Sequence, residues 1–342
     1  MSSGSHLRFN PLSGEWILVA PKRGQRPQSE KPITPAREMI PPHADDCFLC
    51  TGNMRASGIR NPDYKAAYTF DNDFPALSLE AAPVPADHDA LIVTRAERGI
   101  CRVMCYSPRH DLGQARLDIA TLRTVIDAWA DQFTQLGALS WIKYVQIFEN
   151  HGPLAGASSA HPHSQIWATS DVPDDPKTEI AQQKKYQAAH GSCLLCDYAK
   201  LEASLGERVV CENDRFLVVT PYWAMWPFET MVLGKRHFGT IAQMSGAERD
   251  AYADIIKRLA ARYDNLFEAP FAYSMGLHQV PTDGEEHPEC HFHAHYYSPM
   301  KSVSVQKIMA GFELAAGRER DDLPEDAAAQ LRAVSDVHYL DR

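Results

Sequence analysis

The chain has 342 residues, a formal net charge of −10 and 44% hydrophobic residues, which suggests two domains or one enlarged one with apolar content for a substantial core. The acidic balance argues against binding nucleic-acid backbones or anionic membranes. No run of about 18 apolar residues marks a membrane span, and no basic-then-apolar leader marks a signal peptide.

The expected compartment is therefore the cytoplasm, where the eight cysteines are thiols rather than a disulfide framework. Residues 1–6 read as solvated leader. The basic cluster from Pro21 to Pro27, with Arg23 and Arg26, can hold one small phosphate ligand. Cys47 and Cys50 form a CxxC pair, Asn72-Asp73 follows, and a strand-like run leads into His110. Ile119, Leu122, Val125, Ile126, Trp129 and Phe133 then recur on one face of a helix over 118–136. A strand-like run over 141–150 precedes "GASSAHPHSQIWA", Gly156 to Ala168.

The second half repeats this order. Cys193/Cys196 is followed by Asn213-Asp214 and by a strand-like run into His237. A helix starts at the Ser245/Glu248 capping box, with Tyr252, Ile255, Ile256, Leu259, Tyr263 and Leu266 inward. Each helix begins eight residues after its histidine. A strand follows, then His291-Phe292-His293-Ala294-His295. The expectation is an α+β fold made of a duplicated unit, divided as 1–178 and 179–342. The tail from Ser304 to Tyr339 is expected to be helical, with a break at Pro324.

The repeated landmarks carry chemistry. Cys47, Cys50, His110 and His161 form a candidate tetrahedral zinc set, since CxxC brings two thiolates to one ion and imidazoles complete it. His278, His293 and His295 with a carboxylate suit zinc or iron; Glu285, Glu286 and Glu289 are near in sequence and Glu179 is further off. A candidate third set comes from the repeat: Cys193, Cys196 and His237, with Glu289 as fourth ligand because it lies 52 residues after His237, as His161 lies 51 after His110. A buried, reduced CxxC pair is the alternative. On a strand, His161, His163 and Gln165 share a face, and Pro162 marks an edge, end or bulge. If zinc takes His161, then His163 is free as a nucleophile toward phosphorus. Gln165 and the Ser158 hydroxyl are candidate hydrogen-bond donors to the phosphoryl oxygens.

Several stretches together resemble the galactose-1-phosphate uridylyltransferase family, in the nucleotidyltransferase branch of the histidine-triad superfamily. They are "FNPLSGEWILVAPKRGQRP", "CFLCTGN", "NDFPAL", "HPHSQIWA", "PYWAMWPFET", "RYDNLF", "YSMGLH", "HFHAHYYSP" and "RAVSDVHY", spread over nearly the whole chain. The resemblance implies a duplicated histidine-triad-like unit, a mostly antiparallel half-barrel sheet with helices packed on it. It implies ping-pong transfer of UMP from UDP-glucose to galactose 1-phosphate through a uridylyl-histidine at His163. By the same resemblance Cys47, Cys50, His110 and His161 hold zinc, and Glu179, His278, His293 and His295 hold a second metal, iron or zinc. Asn72 and Asp73 contact the nucleoside, Asn150, Ser158 and Gln165 the phosphates, and Arg23 and Arg26 lie near the phosphates. Lys307, Phe312 and Glu313 form a hexose site reached across a homodimer interface. Phe312 and Ala157 stand where relatives often carry Tyr and Cys. The alternative activity is a related phosphorylase acting on ADP-glucose or a diadenosine polyphosphate.

Overall fold

The computed structural model describes residues 4–24, 40–84 and 89–342. The chain opens with a hairpin, β1 (His6–Phe9) and β2 (Trp16–Val19). The first half continues through β3 (Tyr68–Asp71), β4 (Gly99–Cys105), α1 (Ile119–Gly137), β5 (Tyr144–His151) and β6 (His163–Thr169). Two helices follow, α2 (Asp174–His190) and α3 (Leu194–Leu205). The second half holds β7 (Val209–Glu212), β8 (Phe216–Val219), β9 (Thr230–Gly234), α4 (Gly246–Phe267), β10 (Tyr273–His278) and β11 (His293–Tyr297). The tail supplies α5 (Phe312–Ala315), β12 (Glu319–Arg320) and α6 (Pro324–Ala333).

Nine strands make one sheet in the order β3-β4-β6-β5-β10-β11-β9-β8-β7. Every neighbouring pair is antiparallel. From the β5–β10 seam outward, β5-β6-β4-β3 on one side is matched by β10-β11-β9-β8 on the other. The sheet thus has an internal two-fold relation, as the sequence repeat implied. It does not close into a barrel.

Helices α1 and α4 lie side by side on one face. Each starts where a side chain satisfies orphan backbone donors. Asp118 accepts from the Thr121 amide at 2.7 Å, and Ser245 and Glu248 form a reciprocal capping box. The apolar stripes of both helices, including Ile126, Trp129, Ile256 and Leu259, bury against Val145, Ile147, Ile166, Met275, Leu277 and Ala294 of the sheet. Alternation then sends the odd-numbered residues of β6, His163, Gln165 and Trp167, to the opposite face.

On that opposite face the two halves differ. In the second half, β1, β2 and β12 form a small separate sheet. It packs Leu12 and Ile17 over Leu217, Val219, Met231 and Leu233 and the α3 residues Leu194 and Leu195. A buried chain of charges fastens it. Arg8 bonds Glu325 at 2.9 and 3.1 Å, Glu325 also takes Arg208 at 2.7 Å, and Arg208 reaches Glu202 at 2.9 Å. All four side chains are buried.

The tail departs from expectation. It is helical only over α5 and α6, with β12 between them, and Pro324 starts α6 rather than breaking a helix. Proline suits a first turn, where its missing N–H has no partner to lose. Helix α2 spans residues 178 and 179, where the two halves were expected to divide. Among the described residues, no helix is long and apolar enough to cross a membrane.

Glu325→Ala leaves the buried Arg8 guanidinium without its carboxylate and takes one of the carboxylates from Arg208. We expect a loss of about 3 kcal/mol or more, read as a lower urea midpoint; an unchanged midpoint would show that the charge chain does not hold the small sheet.

Candidate active site and metal-ligand groups

His163 opens β6, opposite Cys105 of β4. Its Nδ1–H donates to the His161 carbonyl at 2.8 Å, which leaves Nε2 as the unprotonated nitrogen. Burial holds its pKa below the ordinary imidazole range, so the ring is neutral near pH 7. Two residues on, Gln165 accepts from the Trp167 indole N–H at 3.1 Å. That bond occupies Oε1 and leaves the amide N–H groups as donors. Trp167 is braced edge-on against Phe148, which pairs with Gln165 in register. Beneath this face, Ser164 takes the buried Trp129 indole N–H at 2.9 Å and pins β6 to α1.

Asn150 lies on β5, two residues beyond the partner of Gln165, which is the register position opposite His163. Across the seam, Ser274 donates to Asn150 Oδ1 at 3.0 Å, so the Asn150 N–H groups stay available. Ser158 is exposed on the loop before His161, just after Gly156, whose φ of +82° favours glycine. Asn72 and Asp73 follow β3; the Asp73 carboxylate takes the Ser57 amide at 3.3 Å and lies 3.5 Å from Arg55. Sequence reasoning missed Ser274 and Trp167. Each acts only by setting another side chain's orientation, which no motif records.

Arg23, Lys307, Phe312 and Glu313 belong to a different neighbourhood. Arg23 pairs with Glu319 at 2.7 Å, and Lys307 pairs with Glu313 at 2.7 Å. Lys307 also donates to the carbonyls of Met225 and Glu319. This group gathers at the small sheet and the tail, on the second half. Arg26 lies outside the described residues.

Among the described residues four groups of side chains could each hold a metal ion: three of four donors, and a smaller one of His287, Glu289 and Cys290. In the first, Cys47, Cys50, His110 and His161 come together. Cys50 Sγ is 3.5 Å from His110 Nδ1 and 3.4 Å from His161 Nδ1. His161 Nε2–H donates to the Ser107 carbonyl at 3.0 Å, which turns the Nδ1 lone pair toward the sulfur. Burial pushes the Cys50 thiol up to about 11 and the His161 imidazole down to about 4. Two cysteines and two neutral imidazoles are a donor set that suits a thiophilic cation, whose binding would displace the thiol protons.

In the second, Glu179 reaches from α2 to His278, His293 and His295. Its carboxylate lies 2.7 Å from His278 Nδ1, 3.2 Å from His293 Nε2 and 3.5 Å from His295 Nε2. Both ring nitrogens of His295 are buried without a hydrogen bond, and burial lowers its pKa to about 3. His278 pairs with His293 in register, and Gly276 with His295. These are the positions that Asn150, His163 and Gln165 hold in the first half.

The third group is Cys193, Cys196, His237 and His291. The sequence expectation placed Glu289 here. Instead the Glu289 carboxylate turns to His287, 3.4 Å away, and His291 supplies the fourth donor. The repeat itself carried the better signal, because aligning His161-x-His163 with His291-x-His293 makes His291 the counterpart of His161.

Comparison with known proteins agrees with this architecture. The family described as galactose-1-phosphate uridyl transferase, N-terminal domain, matches residues 1–173, and its C-terminal domain matches residues 179–342. A galactose-1-phosphate uridylyltransferase of Kluyveromyces lactis is 43% identical over 99% of this chain and 96% of its own length. That of Haemophilus influenzae is 42% identical over 98% and 96%. A solved uridylyltransferase is 25% identical, with a TM-score of 0.75 over 96% of this chain and 97% of its own. An Arabidopsis thaliana ADP-glucose phosphorylase, 23% identical, shares the fold, with a TM-score of 0.74 over 97% of this chain and 100% of its own. Fold and matches together define a nucleotidyltransferase. The chain belongs to the galactose-1-phosphate uridylyltransferase family.

Ser164→Ala leaves the buried Trp129 N–H without a partner. The expected cost is about 1–3 kcal/mol, measured by urea unfolding; no loss would mean that the indole finds another acceptor.

Proposed function

We propose that the chain moves a uridylyl group from UDP-glucose to galactose 1-phosphate, with His163 as the carrier. One observation carries this reading: the His163–His161 hydrogen bond fixes Nδ1 as the protonated nitrogen and leaves the Nε2 lone pair free on the face of β6 that Gln165 shares.

In the first displacement, the Nε2 lone pair attacks the α-phosphorus of UDP-glucose. A P–N bond forms, the P–O bond to the β-phosphate breaks, and glucose 1-phosphate leaves with the electron pair. In the second, a phosphate oxygen of galactose 1-phosphate attacks the same phosphorus. The P–N bond breaks, UDP-galactose leaves, and the imidazole returns unchanged. No proton is gained or lost over the cycle. The ring is cationic while it carries the nucleotide, and the His161 carbonyl stabilises its Nδ1–H. Gln165, Asn150 and the Ser158 hydroxyl donate to the phosphoryl oxygens, where charge builds in each transition state. Asn72 and Asp73 stand at the edge of the same face and suit the nucleoside.

Zinc is the ion proposed for Cys47, Cys50, His110 and His161, and zinc or iron for Glu179, His278, His293 and His295. Neither supplies a reacting bond; each fixes the strand entry or the helix from which its ligands come. The first half, 1–178, thus carries the nucleophile, and the second, 179–342, the second metal.

The acceptor sugar phosphate needs further contacts. Lys307 and Glu313, with Arg23 and Arg26, suit its phosphate and hydroxyls, and the Phe312 ring suits an apolar face of the sugar, yet the described members of that group gather on the second half. A homodimer that lays this group of one copy over His163 of the other reconciles the two. Phe312, Leu314 and Ile308 are exposed in the single chain, as an interface requires. The cytoplasm, where sugar phosphates and nucleotide sugars are held, is the proposed compartment.

With UDP-glucose labelled at the α-phosphate and no acceptor, the wild type should take up close to one label per chain, stable to alkali. His163→Ala should take up none and keep its fold. Label on that variant, or label from ADP-glucose and none from UDP-glucose, overturns the proposal. Cys50→Ser should lose one equivalent of zinc and melt at a lower temperature; unchanged zinc content would refute the first metal assignment.

A further inference from the structure

The uridylyl-transfer reading makes no use of Cys193, Cys196, His237 and His291. Cys193 caps the N-terminus of α3, and its Sγ accepts the Cys196 amide at 3.4 Å. His237 lies just past the end of β9, and His291 lies two residues before β11. Cys196 Sγ is 3.7 Å from His237 Nδ1 and 3.3 Å from His291 Nδ1, while Cys193 Sγ is 3.5 Å from His291 Nδ1. The His237 and His291 rings stand 5.2 Å apart at 77°. In the first group the His110 and His161 rings stand 5.4 Å apart at 79°.

We propose that these four side chains form a further structural zinc site, one that closes the second half as the first group closes the first.

Three features carry the proposal. Tetrahedral zinc with bonds of about 2.3 Å to sulfur and about 2.0–2.1 Å to nitrogen places those atoms about 3.5 Å apart. The observed sulfur–nitrogen separations, 3.3 to 3.7 Å, bracket that value. Next, both sulfurs converge on the same nitrogen, His291 Nδ1. A thiol–imidazole hydrogen bond needs only one sulfur there, whereas a shared ion needs both. Finally, every imidazole offers Nδ1, as both do in the first group.

The site has no transfer chemistry of its own. The neighbouring His293, in the position of the nucleophile, is already held by Glu179. Its role is mechanical. The CxxC turn starts α3, and Leu194, Leu195 and Ala199 of that helix lie under the small sheet, whose Glu319 pairs with Arg23. The site ties that helix to the ends of β9 and β11. It is also the more open of the two Cys2His2 groups. His237 is exposed and Cys196 half-buried, whereas Cys50, His110 and His161 are all buried. Its ion should therefore yield first to a chelator.

The test is a metal count on the full chain, by plasma mass spectrometry, for the wild type and the Cys193→Ser/Cys196→Ser variant. The variant should hold one equivalent of zinc fewer and still label at His163 with UDP-glucose, a readout that separates this site from the catalytic proposal. If that variant does not fold, His237→Ala, at the exposed corner, should lose one zinc to a chromogenic chelator at least about tenfold faster than the wild type. Cobalt-grown wild type should show visible ligand-field and thiolate charge-transfer bands that shrink in either variant. An unchanged zinc content in the double variant, an unchanged release rate in His237→Ala, or two thiols of this pair reacting freely in metal-replete wild type would overturn the proposal.

Discussion

The antiparallel pairing of β5 with β10 is the constraint on which the rest of the molecule depends. It runs from His151 opposite Tyr273 to Ile147 opposite Leu277 and turns two half-sheets into one. Because side chains alternate across a strand, this register decides which residues of both halves meet on the open face. Asn150 meets Ser274 there, so a residue of the second half aims a donor of the first. A slip of one residue along this seam would turn Asn150 into the helix-packed core.

The two-fold relation sets the proposed nucleophile of one half against a carboxylate-bound histidine cluster in the other. His163 and His293 occupy equivalent positions, and each donates from Nδ1 to the carbonyl two residues before it, at 2.8 Å. What differs is the surroundings. His163 sits by two neutral amides on an open face. His293 sits beneath the Glu179 carboxylate, with His278 and His295 in place of Asn150 and Gln165. In the proposed mechanism the same strand entry therefore presents a nucleophile in one half, while in the other it meets a carboxylate. Coverage reinforces the split, since α2, α3 and the small sheet occupy the open face only over the second half.

Much of this was legible in the sequence where chemistry and periodicity coincide. The two long helices carry both a capping residue and an apolar stripe, and they begin within a residue of the expected positions. The first cysteine–histidine group and the histidines of the second were legible because few other roles demand those residue types at those spacings. Helix α2 was not, since it has no apolar stripe and buries only Pro176 and Gln183. The tail misled because its alanine-rich composition favours helix, while tertiary pairing with β2 draws Glu319 and Arg320 into a strand. Glu289 was chosen by counting residues, which fails where one half carries a longer connection than the other. Ser274 and Trp167 were out of reach because their roles exist only once strands are paired.

The chain of charges from Arg8 through Glu325 and Arg208 to Glu202 has a consequence for the order of assembly. Arg8 and Glu325 are separated by 317 positions, and β12, which completes the small sheet, also comes from the last tenth or so of the chain. The nine-stranded sheet uses nothing beyond Tyr297. During synthesis the hairpin can lay Leu12 and Ile17 on α3, β8 and β9 while the tail is still inside the ribosome, but Arg8 must wait for Glu325 and β2 for its partner β12. The arrival of the tail is the closing step, and a chain truncated before it would leave the Arg8 guanidinium without its carboxylate and one edge of β2 without its partner strand.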